Sequence, residues 1–158
     1  MYNSPGYSRL SFLKKLIIKL SPINKFKYHR VFVAYAILLE KRIVGLCHIE
    51  VYILKNISYG IYGIVIIPPF QGKGLGKLLS VLTIAKVFNK FNNIKFIKLY
   101  VDYDNLNAIK LYRKLGFRKI AFHKNFDIRY NTPVHCYEMI LTKDNFLKAI
   151  QNFYDLYI

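Results

Sequence analysis

A single α/β layer protein, one sheet flanked by helices, is the fold class that the sequence predicts. Three observations carry it. Apolar runs of strand length recur along the chain, and the first two are joined by a charged turn. A loop with three glycines, "QGKGLGK" over 71–77, separates a β-branched run from a helix-spaced segment. After it the pattern reads helix, strand, helix and then two more strands, an alternation that stacks helices on a sheet. With 158 residues, 54% of them hydrophobic and 16% aromatic, the chain is long enough to bury the core of one globular domain.

The elements follow in order. "SRLSFLKKLIIKL" sets Leu10, Leu13, Leu16, Ile17 and Leu20 at helical spacing, with Lys14, Lys15 and Lys19 on other faces. This predicts a basic amphipathic helix over about 8–20, stopped at Ser21-Pro22. Such a helix docks on a sheet or serves as a targeting or membrane-surface segment. Val31 to Leu39 and Ile43 to Ile53 read as a hairpin turning at Glu40-Lys41-Arg42. "ISYGIYGIVII" is a third strand, and "GKLLSVLTIAKVFNKF" a helix with Leu78, Leu79, Leu82, Ile84, Ala85 and Phe88 on its apolar side. "KFIKLYVDY" is a strand, and "NAIKLYRKLGF" a helix that Gly116 stops. "FRKIAFH" and "CYEMILT" are strands, and Asp144 caps a last helix over about 144–157. No repeat and no linker divides residues 1–158.

Composition narrows the function classes. No apolar run reaches the roughly 18 residues needed to span a bilayer. Cys47 and Cys136 lack CxxC spacing, which argues against a disulfide framework and against a zinc site. No metal ligand set is expected, and a reducing, cytoplasmic setting fits. Lys plus Arg number 25 against 8 acids, a net charge of +17. Such a field attracts anions, including RNA, a ribosomal surface or a phosphate-rich ligand. AT-rich codons compete as the source of that charge, since the lysines are spread along the chain and form no nucleic-acid motif.

The glycine loop lies where a strand end meets a helix start. Helix N-termini expose N–H groups and partial positive charge, and glycine lets backbone approach a ligand. With Lys73 and Lys77 added, the loop reads as a pyrophosphate cradle. A Walker loop would need Gly at 71 and Ser or Thr at 78, where Gln71 and Leu78 stand. The dinucleotide fingerprint GxGxxG is absent, because the spacing is GxGxG. A second segment, "DNLNAIKLYRKLGF", places Asn105, Ala108, Tyr112, Gly116 and Phe117 downstream.

Together, "VIIPPFQGKGLGKLL" and "NAIKLYRKLGF" resemble the GNAT superfamily of acyl-CoA-dependent N-acetyltransferases, over residues 61–117. Within it, "PFQGKGLGKLL", "NAIKLYRKLGF" and Asn125-Phe126 look most like the RimI-type protein N-terminal acetyltransferases. The resemblance implies a mixed central sheet whose parallel strand pair, Gly60 to Ile67 and Phe96 to Val101, splays to admit pantetheine. Acetyl-CoA would be the co-substrate. Backbone of Ile64, Val65 and Ile66 would pair with pantetheine amides, and Gln71, Gly72, Lys73, Gly74, Leu75, Gly76 and Lys77 would hold the pyrophosphate. Gly72, Gly74 and Gly76 would clear its space, Asn105 would contact the cofactor arm, and Tyr112 would face the thiol as general acid. The acceptor would be a primary amine, on a small molecule or at a protein N-terminus.

Two departures from the family pattern stand out. The carboxylate positions on the fourth and fifth strands hold Gly60 and Tyr100. His48 and Glu50, on one face of a neighbouring strand by period-two spacing, are the substitute bases, and Asp102, His123 and His135 are further candidates. An acceptor with a low pKa needs less help: an α-amine near 8 is roughly a tenth neutral at pH 7, a lysine near 10.4 far less. The missing carboxylate keeps a second reading open, an acyl-CoA-binding regulatory module without catalysis. The other departure is that no first strand is evident ahead of the hairpin, so the acceptor pocket is expected to be open or completed by another chain.

Overall fold

The computed structural model describes residues 16–20, 24–26, 30–129 and 132–154. Eight strands form one sheet: β1 Leu16–Leu20, β2 Asn24–Phe26, β3 Arg30–Leu39, β4 Arg42–Ile53, β5 Ser58–Ile66, β6 Ile94–Asp102, β7 Arg118–Arg129 and β8 Thr132–Leu141. The described α-helices are α1 Leu75–Lys90, α2 Leu106–Lys114 and α3 Lys143–Tyr154, with a 3-10 turn at Pro68–Phe70. The strand order is β1-β3-β4-β5-β6-β8-β7, with β2 also beside β3. Every pairing is antiparallel except that of β5 with β6.

The front of the chain corrects the helix expected over about 8–20. Leu16–Leu20 is a strand whose register runs from Leu16 opposite Leu39 to Leu20 opposite Tyr35. β2 continues along the same edge, with Asn24 opposite Phe32. A short apolar run satisfies either period, and here the open edge of β3 decides, because its backbone groups need partners. These two strands also supply the first strand that the sequence did not show. Residues 8–15 of the expected helix lie outside the described residues, as do 155–157 of the last one.

The rest follows side-chain alternation. Val31, Val33, Cys47, Ile49, Val51, Tyr62, Ile97, Leu99, Val101, Met139 and Leu141 are buried and project into one core. Leu79, Ile84, Val87 and Phe88 of α1, Ile109 and Tyr112 of α2 and Phe146 of α3 complete it. The alternate positions form an aromatic and charged face. Phe32 stacks on His48 at 5.0 Å, Tyr52 on Tyr59 at 5.1 Å, and Tyr59 on Phe96 at 5.7 Å.

One pairing is incomplete. β5 and β6 are joined only from Ser58 opposite Ile94 to Ile61 opposite Lys98. Beyond that, β5 stays with β4 as far as Ile66 opposite Gly45, while β6 stays with β8 as far as Asp102 opposite Cys136. The two strands diverge, and a wedge opens between them.

The β3–β4 turn is tighter than expected: Leu39 and Arg42 pair, leaving Glu40 and Lys41 as the loop. Both have positive φ, 49° and 68°. A two-residue hairpin of this kind favours Asn-Gly, and each non-glycine residue in the left-handed region costs roughly 1–2 kcal/mol. The double change Glu40→Asn with Lys41→Gly should therefore raise stability by about 1 kcal/mol or more. Urea unfolding should show a higher midpoint at unchanged slope.

Candidate active site

The glycine loop is tied to the strand before it. The Gln71 side chain donates from Nε2 to the Ile66 carbonyl at 2.9 Å, and its backbone N–H donates to Pro68 O at 3.1 Å. Ile67 N–H reaches back to Val44 O at 3.1 Å. Gln71 is thus the clasp that turns the chain from β5 into the loop, and Ile66 O is already bonded on this side. Gly72 and Gly74 then take φ of 71° and 82°, and a Cβ at either would meet nothing within 4 Å. Space lies open above the helix start.

α1 begins without a capping side chain and without an acid in its first turn. Its N-terminal N–H groups point along the axis toward that open space, as in any helix. Lys77 lies in the first turn, where a cation opposes the helix dipole. Burial, and then the nearby Lys114, push the Lys77 ammonium below its usual pKa. An unscreened helix N-terminus with added lysines suits a ligand carrying negative charge, so the residues present fit a pyrophosphate. At Gly76 a Cβ would make ordinary contacts, 3.4 Å from Leu111 Cδ2 and 3.7 Å from Ile64 Cδ1. Lys73 lies over the Phe70 ring at 5.5 Å.

On the wedge side, the β5 segment holding Ile64, Val65 and Ile66 is paired only with β4 among the described residues. Val65 is 58% exposed. Asn105 caps α2, its side-chain carbonyl accepting from Ala108 N–H at 3.2 Å. That bond engages the side-chain oxygen and not the amide NH2.

Tyr112 is held from several sides. Its ring meets Tyr62 edge-on at 5.6 Å and Phe117 at 5.9 Å, and only 8% of the residue is exposed. Burial, with the Cys47 thiol beside it, pushes its pKa up to about 12. It stays protonated across the neutral range. That value is about three pK units above an ordinary thiol, so full transfer of its proton to a departing thiolate is uphill. A hydroxyl in this state is suited to donating a hydrogen bond, not to giving up its proton.

The two substitute bases share the aromatic face, as their spacing predicts. His48 stacks on Phe32 and lies over Gly63, where any Cβ would collide with the imidazole. Gly63 is the second residue of β5 past the last pair with β6, so His48 stands beside the wedge. Burial lowers its pKa, with Glu50 pulling the other way. The ring is neutral at pH 7 and able to accept a proton. Glu50 is engaged by Arg30 at 2.7 Å.

The missing carboxylates have a steric account. A Cβ at Gly60 would lie 2.7 Å from Ile49 Cγ2 and 3.2 Å from Ile97 Cγ1, so the core has no room for glutamate. Tyr100 sits on the other face, 37% exposed, stacked on Phe126 at 4.7 Å. Directly opposite it on β8 is Glu138, which accepts from or pairs with His123 Nε2 at 2.9 Å. Sequence reading passed over Glu138; the alternation in "HCYEMIL" marks its face, but only the β6–β8 register puts it beside Tyr100. His135 serves structure, its Nδ1 accepting from Asn125 N–H at 3.0 Å.

Known proteins share this architecture. The model of the Acetyltransferase (GNAT) family matches residues 8–117. A mycothiol acetyltransferase from Renibacterium salmoninarum is 44% identical over 59 residues, 37% of this chain and 17% of that one. One from Rhodococcus opacus is 32% identical over 102 residues, 63% of this chain and 32% of that one. The chain thus spans less than a third of the length of these curated relatives. Among solved structures, a GNAT-family acetyltransferase from Streptococcus pneumoniae superposes with a TM-score of 0.65 at 23% identity, over 70% of this chain and 66% of that one. The spermidine/spermine N-acetyltransferase SpeG from Vibrio cholerae gives 0.67 at 16%, over 85% and 98%. Arabidopsis thaliana NAA60 in complex with acetyl-CoA gives 0.63 at 15%, over 72% and 77%. With the family model covering the wedge strands, the glycine loop and the Tyr112 helix, the chain belongs to the GNAT acetyltransferase family.

Proposed function

We propose that the chain is an N-acetyltransferase that moves an acetyl group from acetyl-CoA to a primary amine of low pKa, an α-amine in preference to a lysine ε-amine. The observation that carries this reading is the wedge between β5 and β6, with an uncapped, lysine-bearing helix N-terminus at its open end. A pyrophosphate would sit over Gly72, Gly74 and the first turn of α1. The pantetheine arm would run along Ile64, Val65 and Ile66 toward the vertex. Asn105 would steady the arm. Relatives and neighbours named for mycothiol, spermidine and ribosomal-protein alanine differ in acceptor, so they support amine acetylation as a class. The RimI-type reading, a protein N-terminus as acceptor, is the α-amine case of it.

In the reaction, the neutral amine attacks the thioester carbonyl carbon. The C–N bond forms, the C–S bond breaks, and the sulfur leaves toward the Tyr112 hydroxyl. The amine nitrogen sheds a proton, and His48 takes it. A non-catalytic acyl-CoA-binding module is the rival, favoured by Gly60 and Tyr100 standing where the family places carboxylates.

Gly74 has positive φ, which Asp and Asn tolerate better than other side chains. Gly74→Asp should abolish CoA binding in calorimetry, while Gly74→Asn should retain much of it, since only Asp adds a negative charge. Equal binding by both would remove the pyrophosphate from this loop. Tyr112→Phe should lower turnover by roughly 10²-fold with CoA affinity unchanged; unaltered turnover would leave Tyr112 as packing. His48→Ala should lower kcat/KM for amine acceptors by about 10²-fold. With wild type, the rate should rise with pH and level off near the acceptor pKa of about 8, and peptide N-termini should outperform lysine side chains at pH 7. Efficient acetylation of lysine side chains at pH 7 would overturn the low-pKa acceptor. No turnover with any amine, beside tight CoA binding, would establish the rival.

A further inference from the structure

Beneath the glycine loop lies a run of buried polar groups that the acetyl-transfer chemistry does not use. Ser80 and Thr83 of α1 are fully buried, and Tyr62 of β5 is 6% exposed. The Tyr62 hydroxyl and Ser80 Oγ are 2.6 Å apart, and Ser80 Oγ is 2.6 Å from the Gly76 carbonyl. The proton order follows from counting. A carbonyl has no proton, so Ser80 must donate its only one to Gly76 O. Tyr62 must then donate to Ser80 Oγ. Burial, with Cys47 nearby, raises the Tyr62 pKa well above its usual value, so the hydroxyl keeps the proton it donates. The chain of donors therefore runs one way, from the sheet through Tyr62 and Ser80 to the first turn of α1.

Two consequences follow at the loop. The Gly76 carbonyl belongs to the same peptide unit as the Lys77 N–H. A carbonyl that accepts an extra hydrogen bond polarises its peptide, and the N–H across it becomes a stronger donor. The same bonds fasten the start of α1 to β5 next to the wedge. The Tyr62 ring also abuts Tyr112 edge-on and leans on Phe117 at 5.6 Å. One side chain thus touches both the helix start and the tyrosine that faces the sulfur.

We propose that Tyr62 is a positioning residue for donor binding: through Ser80 it orients and polarises the Gly76–Lys77 peptide toward the pyrophosphate. This rests on the reading of that loop as the pyrophosphate site. A group that acts only by holding the core together would weaken every ligand alike. Tyr62 should weaken only ligands that reach the loop.

The test compares two fragments of the donor on the intact chain, by NMR titration. ADP carries the pyrophosphate, and pantetheine carries none. Tyr62→Phe keeps the ring and removes the donor. Its affinity for ADP should fall about three- to tenfold, the range expected for one net hydrogen bond, while pantetheine affinity changes less than twofold. Ser80→Ala breaks the relay at its middle and should give the same selective loss, so it serves if Tyr62→Phe folds poorly. The double variant should lose no more than the larger single loss, because both remove one relay. ADP binding unchanged in Tyr62→Phe, or an equal loss for both fragments, would overturn the proposal and leave the loop assignment intact. If wild type binds neither ADP nor CoA, the loop assignment fails and the proposal with it.

Discussion

The arrangement depends on one interrupted ladder. Parallel strands normally continue their hydrogen bonds for the length of both, because an unpaired backbone group away from water costs about as much as a lost hydrogen bond. β5 and β6 stop pairing at Ile61 and Lys98, yet both run on for several residues. Each can do so because its other edge is fully occupied, β5 by β4 and β6 by β8. The sheet is thus two well-bonded halves that share a short seam. What lies beyond the seam is a strand-shaped vacancy, and a ligand arm rich in amides is the chemistry that fits it. The helix that begins at the open end and the tyrosine packed behind it take their places from this divergence.

Electrostatics around the wedge sort the titratable groups by which charged form burial penalises. Tyr112 loses solvent and keeps its proton, while His48 loses solvent and gives its proton up. The same physical cause pushes an acid and a base in opposite directions, so both enter the neutral range in useful states. A carboxylate at Gly60 would have been the usual way to supply a base, but Ile49 and Ile97 already fill that volume. The aromatic face has no such restriction. It offers His48 on one bank and the His123–Glu138 pair on the other. The low-pKa acceptor that we propose would complement this, because a larger fraction of it is already neutral before attack.

Much of this was legible before any coordinates. The strand alternation from Val31 onward, the helix after the loop and the stop of α2 at Gly116 come from local pattern, and local pattern suffices where both period and capping agree. Leu16–Leu20 is not legible as a strand because five residues, four of them apolar, carry no decisive period, and its pairing with Leu39 to Tyr35 is information that lies elsewhere in the chain. The Glu40-Lys41 turn was misjudged by a residue because nothing in those side chains advertises positive φ. Gly72, Gly74 and Gly76 are readable as a loop, but that Gly72 and Gly74 take positive φ and Gly76 does not shows only in the fold. Glu138 was invisible for a further reason: its relation to Tyr100 exists only once β6 and β8 are in register.

The polar pocket under α1 shows the trade between stability and function most directly. Tyr62, Ser80, Thr83 and Cys47 occupy space that apolar side chains of similar volume could fill, and a hydroxyl buried without its partner costs about 1–3 kcal/mol. The three hydroxyls are satisfied here: Thr83 donates to Leu79 O at 2.8 Å, Ser80 to Gly76 O, and Tyr62 to Ser80. Net gain over an apolar core is small, since such bonds replace those made to water. Direction is what an apolar core cannot provide. A methyl group packs equally well in several rotamers, whereas this relay has one proton order and ends on one carbonyl. That carbonyl sits in the only turn of α1 whose N–H groups are not claimed by the helix itself. The specificity of the buried bonds is therefore delivered where the fold leaves donors to be aimed.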